Sequence, residues 1–227
     1  MPRENFDQEL QHLQDEVLML GNMVENAIIK SVQVLKQRDF EGSRRLIAED
    51  NRINEKRFAI EEDILALIAT QQPMARDLRI LAAALEIITE LERIGDYAKG
   101  IARINLMIGE KPLLKPLIDI PSMAEKARNM LHRALEAFVQ RDVALARAIP
   151  QEDDKMDDLY NQVYRELLTL IMSDPRNIKQ ANYLLWVAHN LERTADRVIN
   201  LCERVVFTVT GEMVELGVDD AGIESVN

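Results

Sequence analysis

The sequence predicts an all-α fold of two tandem antiparallel three-helix bundles, six helices in all, related by internal duplication. Apolar residues recur along most of the 227-residue chain at alternating steps of three and four, which is the spacing of packed helices. Eight glycines and seven prolines are few for this length, so turns are rare and the elements are long. The pattern of the first half then recurs in the second half.

Three helices are predicted in the first half. The first helix carries the apolar seam Phe6, Leu10, Leu13, Val17, Leu20, Val24 and Ala27. The second helix repeats these steps over positions 46–67 and ends near Gln71, because the residue before Pro73 disfavours the helical conformation. The third helix is predicted over residues 74–107.

A linker is predicted at mid-chain, where three prolines fall within ten residues. It covers residues 111–121 and separates a first bundle, residues 1–110, from a second bundle, residues 122–211. Ser122 followed by Glu125 forms a capping-box pattern, which predicts that the fourth helix starts directly after Ser122.

Two further helices and a tail complete the second half. The fifth helix is predicted from Ile149 to the break before Pro175. The sixth helix is predicted to end at Gly211, because glycine commonly ends helices in the left-handed conformation. Residues 212–227 hold five Asp or Glu residues and no Lys or Arg, which predicts a solvated and partly disordered acidic tail.

Two repeated motifs indicate the duplication. Gln-Arg-Asp at 37–39 recurs at 140–142, and Leu-Glu-Arg at 91–93 recurs at 191–193. The seam positions of the second helix map onto those of the fifth helix at the same offset that separates the two Gln-Arg-Asp motifs. The repeated unit is therefore one three-helix bundle.

Composition excludes several classes of protein. The formal net charge of −11 opposes binding to nucleic acid or anionic lipid. No apolar run approaches the ~18 residues of a membrane span, and the start of the chain lacks the basic and apolar regions of a signal peptide. A single cysteine, Cys202, fits a reducing compartment. We expect a cytoplasmic protein with no transmembrane segment and no nucleic-acid partner.

An acidic pair recurs at the same place in both halves. Glu92 and Asp96 are four residues apart on the third helix, and Glu192 and Asp196 repeat them on the last helix. Like charges at this spacing destabilise a helix by roughly 0.2–0.5 kcal/mol. Each pair follows a seam leucine, so both pairs are expected to face a neighbouring helix.

More acids are expected opposite each pair. Antiparallel helices place residues equidistant from a turn at about the same height, which brings Asp50 and Asn54 level with the first pair and Asp153 and Asp157 level with the second. Asp50 and Asp153 also occupy seam positions, where an unpaired carboxylate would be costly to desolvate.

A multivalent cation would turn such repulsive clusters into coordination shells. We therefore predict one carboxylate-rich metal site per bundle. The predicted ligands are Asp50, Glu92, Asp96, Asp153, Asp157, Glu192 and Asp196. Oxygen donors favour divalent or trivalent Fe, Mn or Mg over Zn. A contribution from Asn54, Glu49, Glu152 or His189 stays open.

Three alternatives compete with this interpretation. Arg93 and Arg193 could neutralise the acids as salt bridges. A carboxylate-bridged metalloenzyme would need an open coordination position and a substrate pocket, and a ferritin-like enzyme would need Glu-x-x-His on two helices, which this sequence does not provide. An inert helical adaptor would carry the acids only for solubility. With no P-loop, dinucleotide fingerprint or Ser-His-Asp pattern, no catalytic residue is predicted.

The residues resemble one known family. The segment QPMARDLR at 72–79, LERIGD at 91–96, LERTAD at 191–196 and VTGE at 209–212 are similar to the PhoU family of phosphate-uptake regulators. The resemblance spans about residues 6–212. It implies two similar three-helix bundles whose acidic motifs bind multinuclear metal clusters, with the ligands predicted above. Asn54, where the second half has Asp157, implies a weaker first site.

The resemblance also implies a function. It indicates a non-enzymatic negative regulator of phosphate uptake and of the phosphate-starvation response, the Pho regulon. Such a protein couples a phosphate ABC transporter, through its ATPase subunit, to a phosphate-sensing histidine kinase. Proteins of this family are often homodimers.

Overall fold

The structure, a computed structural model, describes residues 3–217 and confirms the predicted all-helical fold. The helices are α1 (Arg3–Gln37), α2 (Phe40–Gln71), α3 (Ala75–Ile108), α4 (Asp119–Gln140), the short α5 (Val143–Ala148), α6 (Asp153–Ser173) and α7 (Ile178–Thr210). The described part of the chain contains no strand. The predicted end of the second helix at Gln71 is confirmed, as is the end of the last helix at Gly211, which is left-handed with φ 80°.

The predicted start of the fourth helix is wrong. α4 begins at Asp119, and Ser122 lies inside its first turn, where the hydroxyl donates to the carbonyl of Ile118 at 3.3 Å. Pro121 fits there because the first turn of a helix does not use its N–H groups. The capping-box pattern therefore marks a position inside the helix and not its start.

The predicted start of the fifth helix at Ile149 is also wrong. The Asp142 side chain accepts a hydrogen bond from the Leu145 N–H at 2.9 Å and caps the short helix α5. Pro150 then opens a single 3₁₀ turn, and α6 begins only at Asp153. The apolar seam continues through Ile149, which is fully buried, but the hydrogen bonding changes there from α to 3₁₀, with the Glu152 N–H donating to the Ile149 carbonyl at 3.0 Å.

The first part of the acidic tail keeps Glu212 and Glu215 exposed, as expected, but also contacts the protein through two apolar side chains. The Leu216 N–H donates to Glu203 Oε1 at 2.9 Å, and Val214 and Leu216 contact the hydrophobic core. The rest of the predicted tail, residues 218–227, lies outside the described residues.

The two bundles share one hydrophobic core. α3 packs against α1, α2 and α7, while α4 packs against α1 and α7. Helices α1, α3, α7 and α4 therefore form a closed four-helix ring, with α2 and α6 on its outer flanks. The linker prediction did not include this shared core. Among residues 3–217, no helix is long and apolar enough to cross a bilayer.

Helices α3 and α7 cross antiparallel at the centre of the molecule. Glu86 near the start of α3 pairs with Arg204 near the end of α7 at 3.1 Å. Farther along, the guanidinium of Arg193 lies 4.9 Å from the ring centroid of Tyr97. This register places positions 95 and 195 at the same height. The repeated acidic motifs therefore flank the α3–α7 pair at one level.

Candidate metal centres

The first acidic cluster consists of Asp50 on α2 and of Glu92 and Asp96 on α3. The structure brings these acids together, as their equal distances from the α2–α3 turn predicted. They surround a cation, Lys99, that the sequence analysis missed. Lys99 Nζ donates to Asp50 Oδ2 at 2.6 Å and to Asp96 Oδ1 at 2.9 Å. Asp50 is only 3% exposed, so the ammonium neutralises a buried carboxylate. Asn54 lies half-buried one turn farther along α2.

The electrostatics of the first cluster are mixed. Burial and the neighbouring charge of Asp96 raise the pKa of Glu92, whereas Arg57 and Lys99 oppose that rise. The hydrogen bond to Asp50 raises the pKa of Lys99 and holds it charged. The first cluster therefore carries its own positive charge.

The second acidic cluster consists of Asp153 and Asp157 on α6 and of Glu192 and Asp196 on α7. Burial, followed by the charges of Asp157 and Asp196, raises the pKa of Asp153 to about 6. Burial also raises the pKa values of Glu192 and Asp196, and the charge of Asp157 adds to both shifts, whereas His189 opposes the rise at Glu192 and Arg197 opposes the rise at Asp196. Among the described residues, no Lys or Arg forms an ion pair with any of these four acids.

Two buried oxygens in the second cluster lack a hydrogen-bond partner among residues 3–217. They are Asp153 Oδ1 and Glu192 Oε2. His189 Nδ1 lies 3.1 Å from Glu192 Oε2, close enough to pair with it when protonated, and opposes the rise in the pKa of Glu192. A buried carboxylate oxygen without a donor is costly, and a bound cation would satisfy it.

Glu49 and Glu152, which directly precede Asp50 and Asp153 in the sequence, have different surroundings from the two clusters. Glu152 pairs with Arg133 and, at 3.5 Å, with Lys126 on α4. Although burial acts in the opposite direction, these two cations lower the pKa of Glu152. Glu49 is exposed and lines a cavity between α1 and α2. Glu152 is therefore occupied by ion pairs outside the second cluster.

The arginines that follow each glutamate make other contacts. Arg93 donates to Glu90 at 2.7 Å, and Arg193 stacks over Tyr97. Among the described residues, neither arginine forms an ion pair with the glutamate directly before it. Adjacent residues point about 100° apart around a helix, so this result is expected.

The donor atoms fit a cation better in the second cluster than in the first. Within residues 3–217, no three His, Cys, Asp or Glu side chains already form a ready coordination shell, so ligation requires side-chain rotation. The second cluster offers unpartnered carboxylate oxygens, which hard cations such as Mn²⁺ or Mg²⁺ prefer. In the first cluster, the Lys99 ammonium already lies between Asp50 and Asp96. The role of the seven acids as metal ligands stays a prediction.

The buried acid in the second cluster predicts a pH-dependent penalty in metal-free protein. The pKa of Asp153 rises from 3.8 to about 6 on folding, so stability falls as pH increases through this window, and the penalty is complete above it. We expect Asp153→Asn to stabilise chelator-treated protein at pH 7.5 by about 1 kcal/mol, allowing for solvent screening, and to have little effect near pH 3.5. Urea unfolding at both pH values measures this difference.

Asp158→Asn is the control for this prediction, because Asp158 is exposed on the same helix. It should change stability little at either pH. A metal-free Asp153→Asn protein that is less stable than wild type at pH 7.5 would contradict the electrostatic penalty.

A duplicated three-helix unit, a shared central core and a carboxylate groove in each copy define a class of tandem helical-bundle proteins. The family model described as PhoU domain matches this chain twice, at residues 17–104 and 120–205. The chain therefore belongs to the PhoU family.

Relatives match over most of the chain. The "phosphate-specific transport system accessory protein PhoU homolog" of Aquifex aeolicus is 36% identical over 207 residues, 91% of this chain and 94% of the relative. The crystal structure of the "phosphate transport system regulatory protein PhoU" of Streptococcus pneumoniae superposes with a TM-score of 0.86 at 33% identity, covering 93% of this chain and all of that one. PhoU of Pseudomonas aeruginosa superposes with a TM-score of 0.85 at 30% identity. The first two names describe accessory or regulatory proteins and no enzymatic activity.

Proposed function

We propose that this chain is a metal-binding negative regulator of phosphate uptake and of the phosphate-starvation response. The observation that carries this proposal is the full-length similarity to proteins named as accessory or regulatory components of phosphate transport. The partners are the ATPase subunit of a phosphate ABC transporter, on the cytoplasmic side of the membrane, and a phosphate-sensing histidine kinase. The chain acts by binding and not by catalysis.

The metal part of the proposal is supported by the second acidic cluster. Asp153 and Glu192 each present a buried oxygen without a hydrogen-bond donor, and Asp157 and Asp196 lie close enough to raise the pKa of Asp153. These four side chains would hold the ion, which would supply positive charge to the groove between α6 and α7. Fe, Mn and Mg suit this oxygen donor set better than Zn.

A homodimer is part of the same proposal. Tyr164, Leu168 and Met172 form an exposed apolar stripe along α6, at a spacing of four residues. Such a stripe on one helix face favours contact with another protein surface.

The regulatory role is tested in a bacterial host that lacks its own PhoU-family protein. Wild-type chain should lower phosphate uptake and silence a phosphate-starvation reporter in high phosphate. Asp153→Asn/Asp196→Asn should lose both effects, and metal analysis of the purified variant should show a lower metal content. The doubly substituted Asp63→Asn/Asp158→Asn, which changes two exposed acids, should behave as wild type.

The results separate the two parts of the proposal. If wild-type chain changes neither uptake nor reporter, the regulatory role is wrong. If Asp153→Asn/Asp196→Asn loses its metal but regulates normally, metal binding is not required for regulation.

A further inference from the structure

The two acidic clusters differ at the residue one turn beyond the acidic motif. Lys99 follows Asp96 by three residues, and the equivalent position in the second half is Ile199. Lys99 Nζ contacts carboxylates from both helices of the groove, whereas Ile199 is an apolar residue that is 8% exposed. The duplicated unit has therefore diverged at a position that contacts the candidate ligands.

A second difference between the halves also makes the first cluster less negative than the second. Arg57 on α2 lies near Glu92, and its equivalent on α6 is the neutral Tyr160. Three carboxylates and the Lys99 ammonium give the first cluster a formal charge of −2. Four carboxylates give the second cluster −4. Within residues 3–217, the cations near it, Arg193 and Arg197, form no ion pair with these four acids, although their charges oppose the rise in the pKa of Asp196. The first cluster thus attracts a multivalent cation much less strongly than the second.

We propose that Lys99 is a built-in counter-cation that takes the place of a metal ion in the first cluster, so that only the second bundle binds metal. This inference rests on the metal part of the proposed function. It replaces two equivalent metal sites with one metal site and one permanent lysine bridge.

The geometry explains why lysine and metal exclude each other. The ammonium lies 2.6 Å from Asp50 Oδ2 and 2.9 Å from Asp96 Oδ1, in the space between the two carboxylates. A cation bridging these oxygens would need metal–oxygen distances of about 2.0–2.6 Å in that same space. Two positive charges cannot share it, so a metal ion would have to expel the Lys99 side chain.

The bridge is also built into the protein interior. The Lys99 side chain is only 18% exposed, and Asp50 is 3% exposed. Expelling the ammonium would first leave Asp50 as a buried, uncompensated charge. Lys99 therefore joins α2 to α3 permanently, whereas no lysine or arginine among the described residues bridges α6 to α7 in this way.

The test compares Mn²⁺ binding by wild type, Lys99→Ile and Asp196→Asn, measured by calorimetry and by metal analysis of purified protein. Lys99→Ile gives the first half the residue found in the second. We expect wild type to bind Mn²⁺ in the second bundle alone and Asp196→Asn to lose it. Lys99→Ile should bind about twice as much Mn²⁺, and Lys99→Ile/Asp196→Asn should keep the new site.

Lys115→Ile is the matched control. The Lys115 side chain is 17% exposed and likewise contacts two carboxylates, Glu166 and, at 3.7 Å, Asp119, but it lies outside both acidic clusters. Both lysine variants should lower the thermal midpoint of metal-free protein. Mn²⁺ should restore the midpoint of Lys99→Ile further than that of Lys115→Ile. Lys99→Gln provides a polar second variant if Lys99→Ile does not fold.

Each outcome decides between the inference and the proposed function. If Asp196→Asn retains half of the wild-type Mn²⁺ and Asp96→Asn removes that remainder, the first cluster binds metal despite Lys99 and the inference is wrong. If wild type binds no Mn²⁺ but Lys99→Ile does, Lys99 excludes metal from the first cluster, but the second bundle has no metal site; that part of the inference and the metal part of the proposed function are then wrong. If neither protein binds Mn²⁺, both are wrong.

Discussion

Saturating Mn²⁺ is expected to raise the thermal midpoint of the wild-type protein by about 5–10 °C. A ligand that binds only the folded state at 100 times its dissociation constant contributes about 2.7 kcal/mol. For a chain of 150–250 residues, each kcal/mol shifts the midpoint by about 2–4 °C. The expected shift comes from a cation that satisfies the buried Asp153 Oδ1, which lacks a hydrogen-bond partner in the described structure, and that neutralises Glu192 beside it.

The double variant Asp153→Asn/Asp196→Asn should lose this shift. Without metal it should melt at or above the wild-type midpoint, because two crowded carboxylates have been removed. With metal it should melt below wild type. This reversal of order between the two conditions is specific to a metal site, because a structural defect would lower the midpoint in both.

Differential scanning calorimetry with and without chelator measures these midpoints. Asp63→Asn/Asp158→Asn is the control, since both acids are exposed and it should follow wild type in both conditions. An equal Mn²⁺ shift in wild type and in Asp153→Asn/Asp196→Asn would show that the ion binds elsewhere.

Helix periodicity was sufficient to predict which acids meet. Counting residues from each turn placed Asp50 level with Glu92 and Asp153 level with Glu192, because antiparallel helices advance by the same rise per residue. The structure brings both sets together. Their role as metal ligands stays a prediction.

Lys99 was missed because the sequence argument compared only acidic positions. A lysine three residues after Asp96 lies on the same helix face, and its long side chain can reach the neighbouring helix. The available signal was the mismatch between Lys99 and Ile199 in otherwise repeated motifs. Differences between duplicated units therefore carry information that the shared residues do not.

The shared core was missed because one apolar seam was assigned to each helix. α3 also carries a second stripe at a step of seven residues, which consists of Ile80, Ile87, Ile94 and Ile101, all buried. A helix with two apolar stripes has more than one packing partner. This stripe predicts a neighbour beyond the first bundle, although the sequence alone does not identify α7.

Ile94→Ala is expected to destabilise the protein by about 3–4 kcal/mol, within the range for large-to-small substitutions in a core. Ile94 is fully buried on α3. It lies between Glu90 and Tyr97, both of which contact α7, so it belongs to the face where the two bundles join. Equilibrium urea unfolding measures the loss. Ile118→Ala is the control, because Ile118 is 70% exposed and should cost less than about 0.5 kcal/mol.

The shared core further predicts that both halves unfold together. Circular dichroism reports all helices, whereas fluorescence of Trp186, the single tryptophan, reports α7 of the second bundle. Both signals should give one coincident transition in wild type, and Ile94→Ala should shift both midpoints equally, since the core around α1, α3, α4 and α7 is continuous. A Trp186 transition that stays in place while the dichroism splits in two would mean that the bundles fold independently and that their contact through α3 and α7 adds little stability.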